Sequence, residues 1–279
     1  MSYARRKLVD RLLRGLCLAA VVLALVPLVS VLGYVFVRGI SGVNLSFFRE
    51  LPRPVGEAGG GMAHAIVGSL KLLGIACLFG IPIGVLAGIH LAEDGGSRIA
   101  PVVRLASDVL AGIPSITVGL FVYGVMVVTT GHFSAWAGGA ALAILMLPTV
   151  VRTTEELLKL VPASLREAAF GLGVSRFRTI LHVLLPTAAP GIAVGVMLAV
   201  ARVAGETAPL LFTSFNNRFW AESLSEPTAS LPVNIYTDAI SPYAEWHQRA
   251  WTSALVLVAL ILLLSALARF LARRRVRAT

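Results

Sequence analysis

The chain has 279 residues, of which 57% are hydrophobic and only 14% are charged, and its mean hydropathy is +0.85. These values exclude an ordinary soluble protein, and the apolar residues come in runs of about twenty, the length that crosses a bilayer. The net charge of +10 does not indicate nucleic-acid binding, because the basic residues flank the apolar runs instead of clustering on a soluble face.

Six apolar runs predict an all-α membrane protein with six transmembrane helices. The first run is too long for a signal peptide and has no small-residue cleavage site after it, so it is expected to remain as a helix. The chain then divides into a basic N-terminal segment (1–15), a transmembrane domain (16–272) and a basic tail (273–279). The predicted spans are Leu16 to Val37, His64 to Leu91, Ala100 to Thr129, Trp136 to Val151, Thr187 to Phe215 and Ala250 to Leu271.

Lysine and arginine residues are distributed unevenly between the two sides of this arrangement. Seventeen fall on the side of the N-terminus and five on the other side. Because positively charged segments stay in the cytoplasm, both termini are predicted to be cytoplasmic. Segment 152–186 is then cytoplasmic, and the long loops 38–63 and 216–249 are external. The aromatic residues of the second external loop suit either a belt at the membrane interface or a docking surface.

Two ionisable residues of the second and third spans have ordinary explanations. Lys71 is close enough to the outer end of its span to extend its ammonium group to the interface. Asp108 follows Arg104 by one helical turn near the inner end of the third span, which predicts an ion pair between them.

The cytoplasmic segment between the fourth and fifth spans has the pattern of two short helices joined by a turn. Ser164 and Glu167 have the spacing of a capping box at the start of the first helix. Gly173 can adopt the left-handed conformation that ends it. Ser175 can cap the second helix, which Pro186 is expected to interrupt. The pattern predicts a compact helix-turn-helix elbow.

The fifth span carries two charges, Arg202 and Glu206, far from its inner end. On a continuous helix they lie one turn apart on one face, so an internal ion pair is one interpretation. The alternative is a transport path, because an apolar pair would cost less in the bilayer.

Motifs that would mark an enzyme are missing from the sequence. It contains no Gly-x-x-x-x-Gly-Lys-Ser/Thr phosphate loop, so it cannot hydrolyse ATP by that route. Its five histidines are scattered, and Cys17 and Cys77 lie within apolar runs. No metal site, bound cofactor or catalytic residue is therefore predicted.

Within the elbow, the stretch Glu167-Ala168-Ala169, followed by Gly173 and then by Leu185-Pro186, resembles the EAA loop of ABC importer permeases. The resemblance implies that the elbow fits into a cleft on a separate cytoplasmic ATPase, which binds ATP and magnesium. These residues are accordingly assigned to ATPase coupling.

A second resemblance extends over most of the chain. The stretches from Arg202 to Leu211 and from Leu110 to Phe121 resemble the A-type subunit of phosphate-specific permeases, although the charge of Lys71 departs from the family pattern. The resemblance implies a bacterial inner-membrane complex that imports phosphate, with Arg202 binding the anion and Glu206 holding Arg202 when substrate is absent. A guanidinium group suits this role, because it forms paired hydrogen bonds with phosphate oxygens.

The implied partners are a second permease subunit, an ATPase dimer, an extracytoplasmic phosphate-binding protein and membrane lipid. Three alternatives remain open at this point: a permease for sulfate or molybdate, an ATP-independent transporter, and a structural subunit of a membrane assembly.

Overall fold

The computed structural model describes residues 3–54, 56–57 and 59–276, and this part of the chain contains helices and no strand. The first two residues of the predicted N-terminal segment, and residues 277–279 of the predicted tail, lie outside the described residues. The helices are α1 (Tyr3–Gly39), α2 (Leu45–Arg49), α3 (Ala63–Glu93), α4 (Ala100–Gly112), α5 (Ser115–Val122), α6 (Val128–Thr130), α7 (Ala135–Lys159), α8 (Ala163–Gly171), α9 (Arg176–Thr179), α10 (Leu185–Ala204), α11 (Ala208–Thr213), α12 (Leu231–Ala239) and α13 (Ala244–Val276).

Five helical runs of the described chain are long and apolar enough to cross a membrane. They are α1, α3, α7, the run from α9 through α10, and α13. A sixth span is formed if α4 and the helices from α5 to α6 are counted together, although the two parts are bent by 106°. The predicted number of six spans is confirmed on this count.

The bend of the third span lies at Ile113 and Pro114. Proline disfavours helical conformation in the residue before it, and Ile113 is extended with φ −73° and ψ 131°. Helix α4 is amphipathic, with exposed Val102 and Leu105 on one side and Arg104 facing α7. The predicted third span, from Ala100 to Thr129, is therefore divided into two helices.

The fourth span is longer than predicted. Helix α7 begins after Ser134, whose hydroxyl accepts a hydrogen bond from the amide of Ala137 at 3.2 Å. It continues through Pro148 and past the predicted end at Val151 as far as Lys159. Its last two turns thus belong to the span, and the elbow that follows is shorter than segment 152–186.

The core of the molecule is the contact between α3 and α7, which depends on small residues of α3. A Cβ atom on Gly84 would lie 2.7 Å from the Val150 side chain, and one on Gly88 would lie 2.5 Å from Thr154. Lipid provides no hydrophobic driving force for helix association, so membrane helices depend on close packing. Small residues spaced four apart allow this close approach. The other helices of the core pack against this pair.

Candidate substrate path and coupling surface

The fifth membrane span is broken near its C-terminal end. Residues 205–207 separate α10 from α11 and are not helical. Gly205 is a poor helix former, and Pro209 has no N–H to donate to the carbonyl of residue 205. The prediction of one continuous helix from Thr187 to Phe215 is wrong for this reason.

The two predicted path residues lie on either side of the end of α10. Arg202 is exposed in its last turn, and Glu206 is half-buried just beyond it. The predicted ion pair is not formed, and neither side chain has a hydrogen bond or ion pair with another described residue. The end of the helix at Ala204 removes the geometry that stacks residues one turn apart. Both charges remain available to a ligand.

Helix α5 packs against α11, the helix that follows the break. A Cβ atom on Gly119 would lie 2.6 Å from the Cα of Pro209, so only glycine allows α5 and α11 to pack this closely. Pro209 and Leu210 are both buried. Gly119 is thus a supporting residue that reasoning from charges did not single out, since no charge pattern marks a close backbone approach.

Lys71 is directed towards loop 216–249, which is predicted to be external, as the prediction of an extended ammonium group requires. Its Nζ donates a hydrogen bond to the carbonyl of Ala221 at 2.8 Å, and the residue is half-buried. The same loop is held by the partly buried ion pair of Arg249 with Asp238, in which the Nε and Oδ2 atoms lie 2.7 Å apart. Arg249 also lies 5.1 Å from the Trp246 ring centroid. These contacts order the loop next to the break.

A groove of about 380 Å³ lies between α3, α10 and α13. Its lining is apolar apart from the Cys77 thiol and the Ser265 hydroxyl, and it includes Leu73, Met197 and Ile261. Such a lining suits an acyl chain or an apolar helix. It lacks the cationic groups that bind an inorganic anion, so the candidate path is the break beside Arg202.

The elbow begins with α8 and its turn, where Gly173 has φ +74°. The amide of Val174 donates to the carbonyl of Ala169 at 3.0 Å, and that of Gly173 donates to Phe170 at 2.9 Å. This is a Schellman motif, which confirms the left-handed glycine predicted at the end of the helix. The predicted capping box is wrong, because the cap position is Pro162 and no side chain caps the helix.

The second helix of the elbow continues without a break into the fifth span. Ser175 is the N-cap of α9 by position, but its side chain forms no capping hydrogen bond. A π-turn follows, in which the amide of Leu185 donates to the carbonyl of Ile180. Pro186 is in the first turn of α10 and does not interrupt the run, which extends from Arg176 to Ala204 over 29 residues. The predicted interruption at Pro186 is wrong.

The elbow exposes large apolar side chains on the side predicted to be cytoplasmic. Leu172 is 84% exposed and Phe177 is 71% exposed. Glu167 and Ala168 are also exposed, and the Glu167 carboxylate has no ion pair with a described residue. The remaining predicted coupling residues are placed differently: Ala169 is buried, Leu185 is half-buried and Pro186 is exposed.

Charged side chains join the N-terminal half of α4 to the C-terminal end of α7. Glu155 of α7 is buried and accepts a hydrogen bond from Arg104 at 2.9 Å. Lys159 approaches the same carboxylate at 2.5 Å. Asp108 binds Arg152 of α7, with 3.2 Å between the Nε and Oδ1 atoms. The predicted pair of Arg104 with Asp108 is therefore wrong, because the facing helix supplies better-placed partners for both.

The sequence matches known membrane transport proteins over most of its length. Residues 80–277 match the family described as Binding-protein-dependent transport system inner membrane component. The Yersinia pestis protein named Phosphate transport system permease protein PstA is 48% identical, covering 95% of this chain and 90% of that protein. The Mycobacterium tuberculosis protein named Phosphate transport system permease protein PstA 1 is 40% identical, covering 98% of this chain and 91% of that protein.

Two solved structures share the fold. A chain from a bacterial alginate ABC transporter, in complex with an alginate pentasaccharide-bound periplasmic protein, has a TM-score of 0.67 at 16% identity and covers 98% of this chain and 97% of its own. A chain from the inward-facing MetNI methionine ABC transporter has a TM-score of 0.58 at 21% identity, covering 78% of this chain and 96% of its own. At these identities the likeness concerns the fold alone.

Proposed function

Because the chain belongs to the family of binding-protein-dependent transport system inner membrane components, we propose that it is the transmembrane permease subunit of an ATP-driven importer of inorganic phosphate. It is a multi-pass protein of the inner membrane and a transport component, not the ATPase. The phosphate permeases that it resembles over nearly its whole length support the substrate.

The observation that carries the proposal is the broken fifth span with Arg202 at its edge. Non-helical backbone within a bilayer is tolerated where it is buried in protein or lines a water-filled cavity. Residues 205–207 provide such backbone, and Gly205 is exposed on this chain. We therefore place the path for the anion along this surface, where a second permease subunit completes the enclosure.

The chemistry of phosphate fits the unpaired arginine. A guanidinium group donates two parallel hydrogen bonds to the oxygens of a phosphate ion, and it stays charged at any physiological pH. Arg202 has no carboxylate partner among the described residues, so no ion pair must be broken before the anion binds. Glu206, on the other side of the break, places a negative charge next to the path and favours release of the anion.

The elbow supplies the contact with the ATPase. Exposed Leu172 and Phe177 give it an apolar surface, which a cleft on a soluble partner would cover. Glu167 offers the same partner a carboxylate that has no ion pair with a described residue. Because α9 and α10 form one helical run that ends beside Arg202, a displacement of the elbow moves the fifth span directly. ATP and magnesium bind to the ATPase dimer and not to this chain.

On the external side, loops 38–63 and 216–249 face a phosphate-binding protein. This placement requires both termini to be cytoplasmic. A membrane-impermeant thiol reagent applied from outside should modify the variant Glu222→Cys and spare Ser175→Cys. The reverse labelling pattern would overturn the orientation.

Phosphate uptake tests the function. Vesicles that contain this chain with its co-purifying permease, ATPase and binding protein should accumulate phosphate when ATP is present on the ATPase side. An excess of sulfate or molybdate should leave this uptake unchanged. Uptake of either oxyanion in preference to phosphate would refute the substrate, and equal uptake without ATP would refute the energy source.

A further inference from the structure

Two ion pairs hold α4 against α7 at their inner ends. The Glu155 side chain is only 3% exposed, and both Nε and Nη2 of Arg104 lie 2.9 Å from its Oε1 atom. Arg152, one turn earlier on α7, reaches Glu155 at 3.5 Å and also binds Asp108 of α4. Helix α4 is therefore fixed to α7 at two points one turn apart along its length.

Arg104 also joins α4 and α7 to the end of α3. Helix α3 in turn contacts the elbow. Arg104 donates a second hydrogen bond to the carbonyl of Leu91 at 3.2 Å. Two residues further on, the Glu93 carboxylate binds Arg166 of α8 at 2.5 Å. The Glu93 carbonyl accepts a hydrogen bond from Arg176 of α9 at 2.7 Å. The elbow, α3 and α4 are thus connected through charged contacts.

Helix α4 leads from these contacts to the break in the fifth span. It ends at the bend before Pro114, after which α5 packs against α11 through Gly119. A displacement of α4 therefore acts on α5, which supports α11 from behind. The elbow thus has a second connection to the break, separate from the continuous run of α9 and α10.

Ion pairs are better explained by a role in transmitting displacement than by a contribution to the stability of the fold. Apolar side chains of similar size would hold two helices at least as well, because burying charges carries a desolvation cost. A paired arginine and carboxylate instead specify a direction and a distance. Among the pairs that join different elements in this region, Arg104 with Glu155 and Arg166 with Glu93 each contain a carboxylate that is less than one-tenth exposed.

We infer that Arg104, with Glu155, Glu93 and Arg166, forms a set of positioning residues that transmits displacement of the elbow through α3 and α4 to α5 and the break beside Arg202. The inference rests on the proposed function and specifies how the chain couples ATP hydrolysis to opening of the path. None of the four residues contacts the substrate in this role.

The test is the amount of phosphate transported for each ATP hydrolysed by the purified complex in vesicles. Arg104→Ala should leave assembly and ATP hydrolysis in place while transport per ATP falls about tenfold, within the usual range of coupling free energies. Lys159→Met is the matched control. Lys159 binds the same Glu155 carboxylate but lies on the same helix, so it joins no two elements and its loss should not change the ratio.

A charge exchange provides a second test. Glu93→Arg and Arg166→Glu should each lower transport per ATP, and the double variant should recover most of the parental ratio because the pair is restored with its polarity reversed. The inference is overturned if the exchanged pair does no better than either single variant, if Arg104→Ala keeps the parental ratio, or if it prevents assembly. Absence of ATP-dependent phosphate uptake in the parental complex would instead refute the proposed function.

Discussion

Charged side chains are paired at the ends of α3 and α7 near the elbow but not at the break in the fifth span. Near the elbow, Glu155 and Glu93 are buried and bound by arginines from other helices. At the break, Arg202 and Glu206 lie close in sequence, yet neither has an ionic partner among the described residues. Arginine and glutamate thus form ion pairs between helices in one region, and in the other they form none with a described residue.

The difference indicates which charges are available to a substrate. A buried carboxylate with its arginine is already satisfied, and separating the pair leaves an uncompensated charge at a high cost. An unpaired charge in a membrane span is costly as well, so an explanation outside the chain itself is needed for it. The transported anion that we propose beside Arg202 would supply that explanation.

Arg202→Ala should have the largest effect on transport. We expect phosphate uptake to fall about a hundredfold or more, because a hydrogen bond to a charged group contributes about 1.5 to 3 kcal/mol and the guanidinium can donate two. Arg202→Lys should recover only part of the activity, since it keeps the charge but loses the paired geometry. Uptake of radiolabelled phosphate by the assembled complex measures both.

Arg14→Ala is the control for this comparison, because Arg14 forms an exposed pair with Asp10 at 2.8 Å in the first helix. Exposed pairs of this kind contribute little, so uptake should not change. Parental uptake in Arg202→Ala would show that unpaired and paired charges are equivalent here and would remove Arg202 from the path.

Gly173→Val should have the next largest effect, through the elbow. Its φ of +74° is left-handed, and a side chain in that conformation costs about 1 to 2 kcal/mol, more for a β-branched one. We expect weaker binding of the ATPase and a several-fold loss of transport. Co-purification of the ATPase with the permease measures the first quantity.

Gly171→Val is the matched control, since Gly171 is equally open to its surroundings but has an ordinary φ. If the same amount of ATPase co-purifies with both variants, the left-handed conformation of Gly173 is not required for the elbow to bind the ATPase.

Gly119→Ala should have a smaller effect, on the support of the break. The added Cβ atom would lie 2.6 Å from Pro209 Cα, so α5 and α11 must move apart. Overpacking of this kind costs about 1 to 3 kcal/mol. We expect a lower thermal unfolding temperature together with reduced uptake. Gly124→Ala should change neither, because a Cβ atom there meets no atom of another described element within 4 Å. Equal unfolding temperatures for the two variants would contradict the close approach.

Lys71→Met should have the smallest effect on transport. The variant keeps the length of the side chain and loses one hydrogen bond, to Ala221, which costs about 1 kcal/mol at a half-buried site. Thermal stability should fall slightly while uptake and its apparent affinity for phosphate stay at parental values. A large rise in the phosphate concentration needed for half-maximal uptake would place Lys71 in the path together with Arg202.

Features that depend on local chemistry were predictable from the sequence. The six apolar runs reflect the thickness of the bilayer, which acts on each segment alone. The left-handed Gly173 was also predictable, because only glycine adopts that conformation readily at the end of a helix. Helix ends at prolines do not follow from the sequence in the same way. Pro148 and Pro186 lie within helical runs, because neighbouring helices or a π-turn accommodate the missing hydrogen bond.

The sequence by itself determined that the chain crosses the membrane repeatedly, that it carries an elbow, and that Arg202 and Glu206 stand out in an apolar span. Only the tertiary structure decided which charges are paired. Arg104 binds Glu155 and not Asp108, and Arg202 does not bind Glu206. The reason is physical: a pairing depends on which helix faces the side chain and on where that helix ends, and spacing along one helix specifies neither.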